Sequence, residues 1–204
     1  MAIVVDTSVV IAVTSNEPNK GRLIELTLGE EFIAPVTLPW EFGNAISAMF
    51  KQKRISLSQG LELIAQFRKI SIRLANVDME NAIRLAASLN IYAYDAYVIQ
   101  CARQENSRLL TLDGGLKEAA KKAGIEVMEV TSMTTYTDEQ ARQQLDAVLK
   151  TATRHGEVRI KAKDVQEYAL RPVTSNQSPL DIPGVDIQLS AQEIVGFVRE
   201  VRDR

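Results

Sequence analysis

The chain has 204 residues, 46% hydrophobic and 25% charged, with a formal net charge of −2. Those values predict a globular protein of one or two domains and exclude a broadly basic nucleic-acid coat, so any nucleic-acid contact must use local patches. A single cysteine, Cys101, excludes an internal disulfide and a cysteine-based zinc cluster, and a single histidine, His155, argues against histidine triads.

Ile3–Val5 predicts a buried strand that Asp6-Thr7-Ser8 closes as a helix cap. Glu31–Ala34 predicts a second strand, stopped by Pro35. Helices are expected over Leu38 to about Lys53, Ser58–Lys69, Glu80–Leu89, Asp95–Gln104 and Gly115–Ala123. Phe42, Ile46, Met49 and Phe50 make the apolar stripe of the first of these, and Cys101 is expected as a small buried hydrophobe in the fourth. Arg108–Leu112 and Ile125–Val130 predict two more strands. Short apolar strands alternating with helices predict an α/β fold with a largely parallel sheet, whose ligands bind beyond the carboxyl ends of the strands.

The pattern changes at Met133. Thr134–Tyr136 predicts a short strand, and Thr137 with Gln140 a capping box that opens a helix carrying Ala141, Leu145, Val148, Leu149 and Ala152 on one face. Gly156 is expected to stop that helix, and Val158–Ala162 and Glu167–Val173 alternate like the arms of a hairpin. Residues 174–189 are rich in Ser, Pro, Asn, Gln and Asp, with apolar residues spaced singly at Leu180, Ile182, Val185, Ile187 and Leu189. Ser190 and Glu193 form a second capping box, before a helix whose Ile194, Phe197, Val198 and Val201 share a face. That tail is too small to form a core, so its apolar groups need another surface.

Four acids, Asp6, Glu41, Asp95 and Asp113, fall where a strand or apolar run gives way to a helix or turn. Hard dications such as Mg²⁺ and Mn²⁺ prefer carboxylate oxygens, and strand-end acids are expected to share one sheet edge. Asp6, Asp95 and Asp113 are also well placed as helix N-caps, and Glu41 as a solvent-facing helix residue. Trp40 and Phe42 are expected to pack in the core. Gly114-Gly115 allows either a phosphate at a helix N-terminus or a simple turn.

Val4-Val5-Asp6-Thr7-Ser8, Pro39-Trp40-Glu41-Phe42-Gly43-Asn44-Ala45, Tyr94-Asp95-Ala96-Tyr97 and Leu110-Thr111-Leu112-Asp113 resemble, in order and spacing, the motifs of PIN-domain ribonucleases of the VapC toxin type. The resemblance covers residues 1–130. It implies that Asp6, Glu41, Asp95 and Asp113 bind Mg²⁺ or Mn²⁺ and serve a metal-dependent hydrolysis of RNA. It also implies supporting roles for Thr7, Ser8, Thr111 and, one turn beyond Glu41, Asn44. Lys51, Lys53 and Arg54 are the best candidates to hold the RNA backbone, or else a solvated helix end.

Residues 133–173, through Met133-Thr134-Thr135-Tyr136-Thr137 and Leu170-Arg171-Pro172-Val173, resemble the DNA-binding and dimerisation domain of Phd/YefM-type antitoxins, with Thr131-Ser132 as the junction. Residues 142–171 carry seven basic against four acidic residues, Arg159, Lys161 and Lys163 among them, which suits either operator DNA or a solvated face. Residues 174–204 then read as a toxin-neutralising tail, acting in cis or on a neighbouring chain. Arg199, Arg202 and Arg204 are its candidates to reach the acidic pocket. The expected protein is a fused toxin and antitoxin, a homodimer or larger, cytoplasmic and without a membrane partner. The competing expectation is a DNA-binding autorepressor whose nuclease half is a silent scaffold.

Overall fold

A computed structural model describes residues 2–130, 135–155, 158–162, 166–171 and 177–202, without the side chains of 154 and 155. Strands β1 (Ala2–Val5), β2 (Glu31–Pro35), β3 (Ile72–Ala75) and β4 (Arg108–Leu110) form a parallel sheet in the order β3-β2-β1-β4. β1 is central because it is apolar towards both faces: Ile3 and Val5 enter one hydrophobic cluster and Val4 the other, all fully buried. Val4 is in register with Ile33 on one side and Leu109 on the other. The chain is thus an α/β protein with helices α1 (Thr7–Thr14), α2 (Lys20–Leu26), α3 (Leu38–Lys51), α4 (Leu57–Phe67), α5 (Met79–Leu89), α6 (Ala93–Gln104) and α7 (Gly114–Lys122) around that sheet.

Several expectations shift. β2 runs through Pro35, which pairs with Ala75 at the strand's end, where one missing N–H costs little. β3 was not legible, since half of its four residues are exposed and it lacks a clean alternation. Ile125–Val130 is not a strand. Only Val127 bridges to Leu109, through Leu109 N to Glu126 O (2.9 Å) and Met128 N to Leu109 O (2.8 Å), because β4 is itself three residues long. Cys101 is buried, and burial followed by the nearby Glu105 charge pushes its thiol up to about 12. Among the described residues no helix is long and apolar enough to cross a membrane.

Beyond residue 134 lie β5 (Thr135–Thr137), α8 (Asp138–Gln143), α9 (Leu145–His155), β6 (Val158–Lys161) and β7 (Glu167–Leu170). β6 joins β5 in parallel and β7 in antiparallel fashion. The expected single helix breaks at Gln144, so its stripe splits: Ala141, Val148 and Ala152 are buried with Val158, whereas Leu145 and Leu149 are exposed. The capping box of Thr137 and Gln140 opens α8.

The last piece, 177–202, lies on the first domain. Its extended part buries Leu180, Ile182, Val185, Ile187 and Leu189, alternating in steps of two except for one step of three at Pro183-Gly184, with the residues between turned outward or half-buried. All five belong to the larger cluster under the sheet, as do Ile194, Phe197 and Val198 of α10 (Ala191–Arg202). Polar ties fix the register: Val185 N to Thr14 O (2.7 Å), Lys20 Nζ to Ile182 O (2.6 Å) and the Thr27 and Ser178 hydroxyls (2.6 Å). Ser190 and Glu193 cap α10 reciprocally, and Arg54 holds Glu193 at 2.5 Å, so Arg54 serves the tail here.

Candidate active site

The carboxyl ends of β1 and β4 lie side by side, so the residues just beyond each strand meet at one edge. Asp6 succeeds β1 and caps α1 by accepting from Ser8 N. Its Oδ2 also accepts from Ser8 Oγ and, at 2.8 Å, from Thr111 Oγ1. Asp113 lies just past β4 and caps α7, Oδ1 accepting from Gly115 N (2.8 Å) and Leu116 N (3.2 Å). For these two acids, capping and convergence on the edge are one arrangement: Asp6 caps through Oδ2 and leaves Oδ1 for the site, and Asp113 Oδ1 both caps α7 and faces the site. Glu41 comes from the first turn of α3 and is held by the Thr7 hydroxyl. Asp95 is not a cap: α6 begins at Ala93 after Tyr92, which places Asp95 inside the first turn.

All four acids are at least 97% buried and surround two tail arginines. Arg202, itself buried, donates Nε to Glu41 Oε1 (2.8 Å), Nη1 to Asp95 Oδ1 (2.8 Å), and Nη2 to Glu41 Oε2 (3.0 Å) and to Asp6 Oδ1. Arg199 donates Nη1 to Asp95 Oδ2 (2.7 Å) and Nη2 to Asp113 Oδ1 (3.0 Å), with Nε 2.6 Å from Asp113 Oδ2. Gly115 leaves room for this: a Cβ there would lie 2.8 Å from Arg199 Nη2, so the group that approaches the glycines is a guanidinium. Arg204 lies outside the described residues.

Burial alone would raise the Asp6 carboxyl; the Arg202 charge and hydrogen bonds from Ser8, Arg202 and Thr111 outweigh it and hold it below the ordinary range. At Asp95 burial wins over Arg202 and Arg199, and the Asp113 charge adds to it, so that carboxyl is raised. Burial works against the charge on both arginines, yet the surrounding carboxylates hold both above the usual arginine value.

The donor set suits a hard dication, being all carboxylate oxygen and converging on one positive centre. With the tail seated, no group of three or more Asp, Glu, His or Cys among the described residues is spaced to hold a metal ion. The reason is geometric. Oxygens that meet the edges of a planar guanidinium stand farther apart than the ~2.1 Å shell of Mg²⁺ requires.

Thr7, Ser8 and Thr111, expected as supporting hydroxyls, each hold a carboxylate. Asn44 is exposed on α3 and lines a cleft beside the acids. Lys51 lines that same cleft, and Lys53 is exposed. Phe42 is buried and stacks on Phe67 at 4.7 Å, but Trp40 is 74% exposed, contrary to the core position expected for it. The signal was available: Trp40 is two residues, about 200°, away from Phe42 on the helix, off the apolar stripe. Arg159 is exposed and 3.3 Å from Glu167, Lys161 is exposed, and Lys163 lies outside the described residues.

A family model described as the PIN domain matches residues 3–122, and the chain belongs to the PIN domain family. PIN domains are typically metal-dependent nucleases that generally use divalent ions and often belong to toxin–antitoxin systems. Similar solved structures include PAE2754 from Pyrobaculum aerophilum, 20% identical, covering 62% of this chain and 92% of its own, with a TM-score of 0.49. A domain of a functionally unknown protein from Methanocaldococcus jannaschii is 24% identical, covers 64% of this chain and 91% of its own, and gives a TM-score of 0.39. No curated protein matches the chain.

Proposed function

We propose that residues 1–130 are a VapC-type endoribonuclease toxin held inactive by residues 174–204 of the same polypeptide, with a Phd/YefM-like DNA-binding and dimerising segment, 133–173, between them. The observation that supports this reading is the Arg202 guanidinium lodged among Asp6, Glu41 and Asp95. A cation already balances the charges that a catalytic dication would balance, so tail and metal compete for one set of oxygens.

With the tail withdrawn, Asp6, Glu41, Asp95 and Asp113 would hold Mg²⁺ or Mn²⁺, which supplies a water acidified for attack on phosphorus. Ser8 and Thr111 keep the Asp6 carboxylate oriented, and Thr7 does the same for Glu41. Arg159, Lys161 and Lys163 are the proposed operator-DNA contacts.

The test is the full chain carrying Arg199→Ala and Arg202→Ala, assayed for Mg²⁺-dependent cleavage of RNA beside flap DNA. Loss of a buried charge pair is worth about 3–5 kcal/mol, so RNA cleavage should rise by about a hundredfold or more. Adding Asp6→Asn or Asp95→Asn should abolish it with the circular dichroism unchanged. No rise in the double variant defeats the inhibitory role; a rise that survives Asp6→Asn defeats the site assignment.

A further inference from the structure

Trp40 is the single tryptophan of the chain, yet it stands 74% exposed beside Glu41. Tryptophan is usually highly buried on average, so a bare indole next to a reactive site calls for a partner. Trp40 heads a stripe of α3: Asn44, Ser47 and Lys51 succeed it at i+4, i+7 and i+11, on the same face of the helix. Those three residues line a cleft of about 270 Å³ together with Ala48, Tyr94 and, from the tail, Glu200 and Val201. Tyr94 is braced edge-on by Tyr97, with ring centroids 5.9 Å apart, and adjoins Asp95 in the chain. Trp40 stands one turn before Asn44 on the same stripe, outside the cleft lining, and Trp40 and Tyr94 each immediately precede one of the converging acids.

We propose that this stripe, with Tyr94, is the track on which an unpaired RNA strand enters the carboxylate site. The inference rests on the nuclease reading and names the residues that select the substrate. Trp40 and Tyr94 stack on bases, Asn44 and Ser47 hydrogen-bond base edges or sugar hydroxyls, and Lys51 takes a phosphate. Such a surface alternates π-face, amide and cation along roughly 16 Å of helix. It suits single strands, whose bases are free to stack on side chains, and discriminates against a duplex, whose base faces are covered. A peptide occupant would leave the single ammonium of Lys51 and the bare indole without the paired phosphate and base that the track offers. The seated tail opposes entry because the Glu200 carboxylate, held 2.9 Å from Gln52 Nε2, lies on the wall where phosphate would pass.

Because Trp40 is the lone tryptophan, its fluorescence reads the track directly. The full chain carrying Arg199→Ala and Arg202→Ala is mixed in Mg²⁺ with a labelled single-stranded oligoribonucleotide or with the same sequence as a duplex. Stopped flow tracks Trp40 emission before turnover, label anisotropy reads binding, and cleavage is scored in the same samples. The single strand should quench Trp40, and the duplex should bind about tenfold more weakly. Tyr94→Ala should weaken single-strand binding roughly tenfold, within the range expected for one stacked base, and Lys51→Ala should weaken it and flatten its salt dependence, with thermal melting unchanged in both. Absence of single-strand binding, binding that leaves Trp40 emission untouched, or equal quenching by the duplex overturns the track. If Trp40→Ala with Tyr94→Ala still cuts single strands at unchanged KM, the track fails and the nuclease reading stands. Quenching without cleavage sinks the nuclease reading and leaves the track.

Discussion

The two segments C-terminal to the PIN domain meet the burial problem in opposite ways. The described residues between 135 and 171 form a small sheet with helices and a core of their own, Ala141, Val148, Ala152 and Val158, and leave Leu145, Leu149 and Tyr168 exposed. Residues 177–202 have no internal core; Leu180, Ile182, Val185, Ile187, Leu189, Ile194, Phe197 and Val198 are buried within the cluster of the PIN domain itself. The tail is thus energetically part of the domain it covers, whereas the small unit is a neighbour. The exposed Leu145, Leu149 and Tyr168 suit the dimerisation proposed for that unit, and the tail has no comparable surplus.

Arg202→Ala should break this contrast most severely. It leaves Asp6, Glu41 and Asp95 facing one another without a central cation, which costs about 3–5 kcal/mol in chelator, as read by denaturant unfolding. Mg²⁺ should restore part of the loss in the variant and do little for the parent chain, because only the variant has the oxygens free. Equal stabilisation of both proteins by Mg²⁺ would contradict competition for one set of donors.

Phe197→Ala comes next. Truncating a fully packed aromatic should cost about 3–5 kcal/mol and Leu180→Ala about 2–5 kcal/mol, both lowering the unfolding midpoint of the PIN domain rather than of the small unit. Leu149→Ala, at the surface of α9, should change monomer stability by no more than about 0.5 kcal/mol. Transitions affected in the reverse order would show that the tail does not share the PIN core.

Acid titration sharpens the comparison further. The Asp6 carboxyl is held below its ordinary range by Arg202 and its hydroxyl partners against the effect of burial. Its support is therefore complete above the ordinary carboxylate range and is lost as pH falls through the lowered value. Without Arg202 the charge that most lowers this carboxyl is gone, and burial works against only the Ser8 and Thr111 hydroxyls, so the variant loses less stability on acidification than the parent. Thermal melting of parent and Arg202→Ala chains down through the carboxylate range should converge. Parallel curves would rule out this linkage.

Much of the fold is local in origin and readable as such. Apolar Ile3–Val5 ending in Asp6, the stripe of Phe42, Ile46 and Met49, and the capping boxes at Thr137 and Ser190 all involve residues a turn or a strand apart. The alternation from Leu180 to Leu189 likewise announces an extended segment with one apolar side, and the acids sit at strand ends that the pattern locates. By contrast β3 and the break at Gln144 leave little trace. The first is short and half exposed, and the second interrupts a sequence whose helical period continues across it.

The sequence by itself determined the apolar side of β1, α3 and the tail and which acids stand at the sheet's edge, because periodicity and capping depend on near neighbours. Only the tertiary structure decided that Arg202 would meet Glu41 across 161 positions and that Arg199 would need the space at Gly115. Those meetings depend on how α3, α6 and α10 pack against one sheet, a balance summed over the whole core that no local pattern contains.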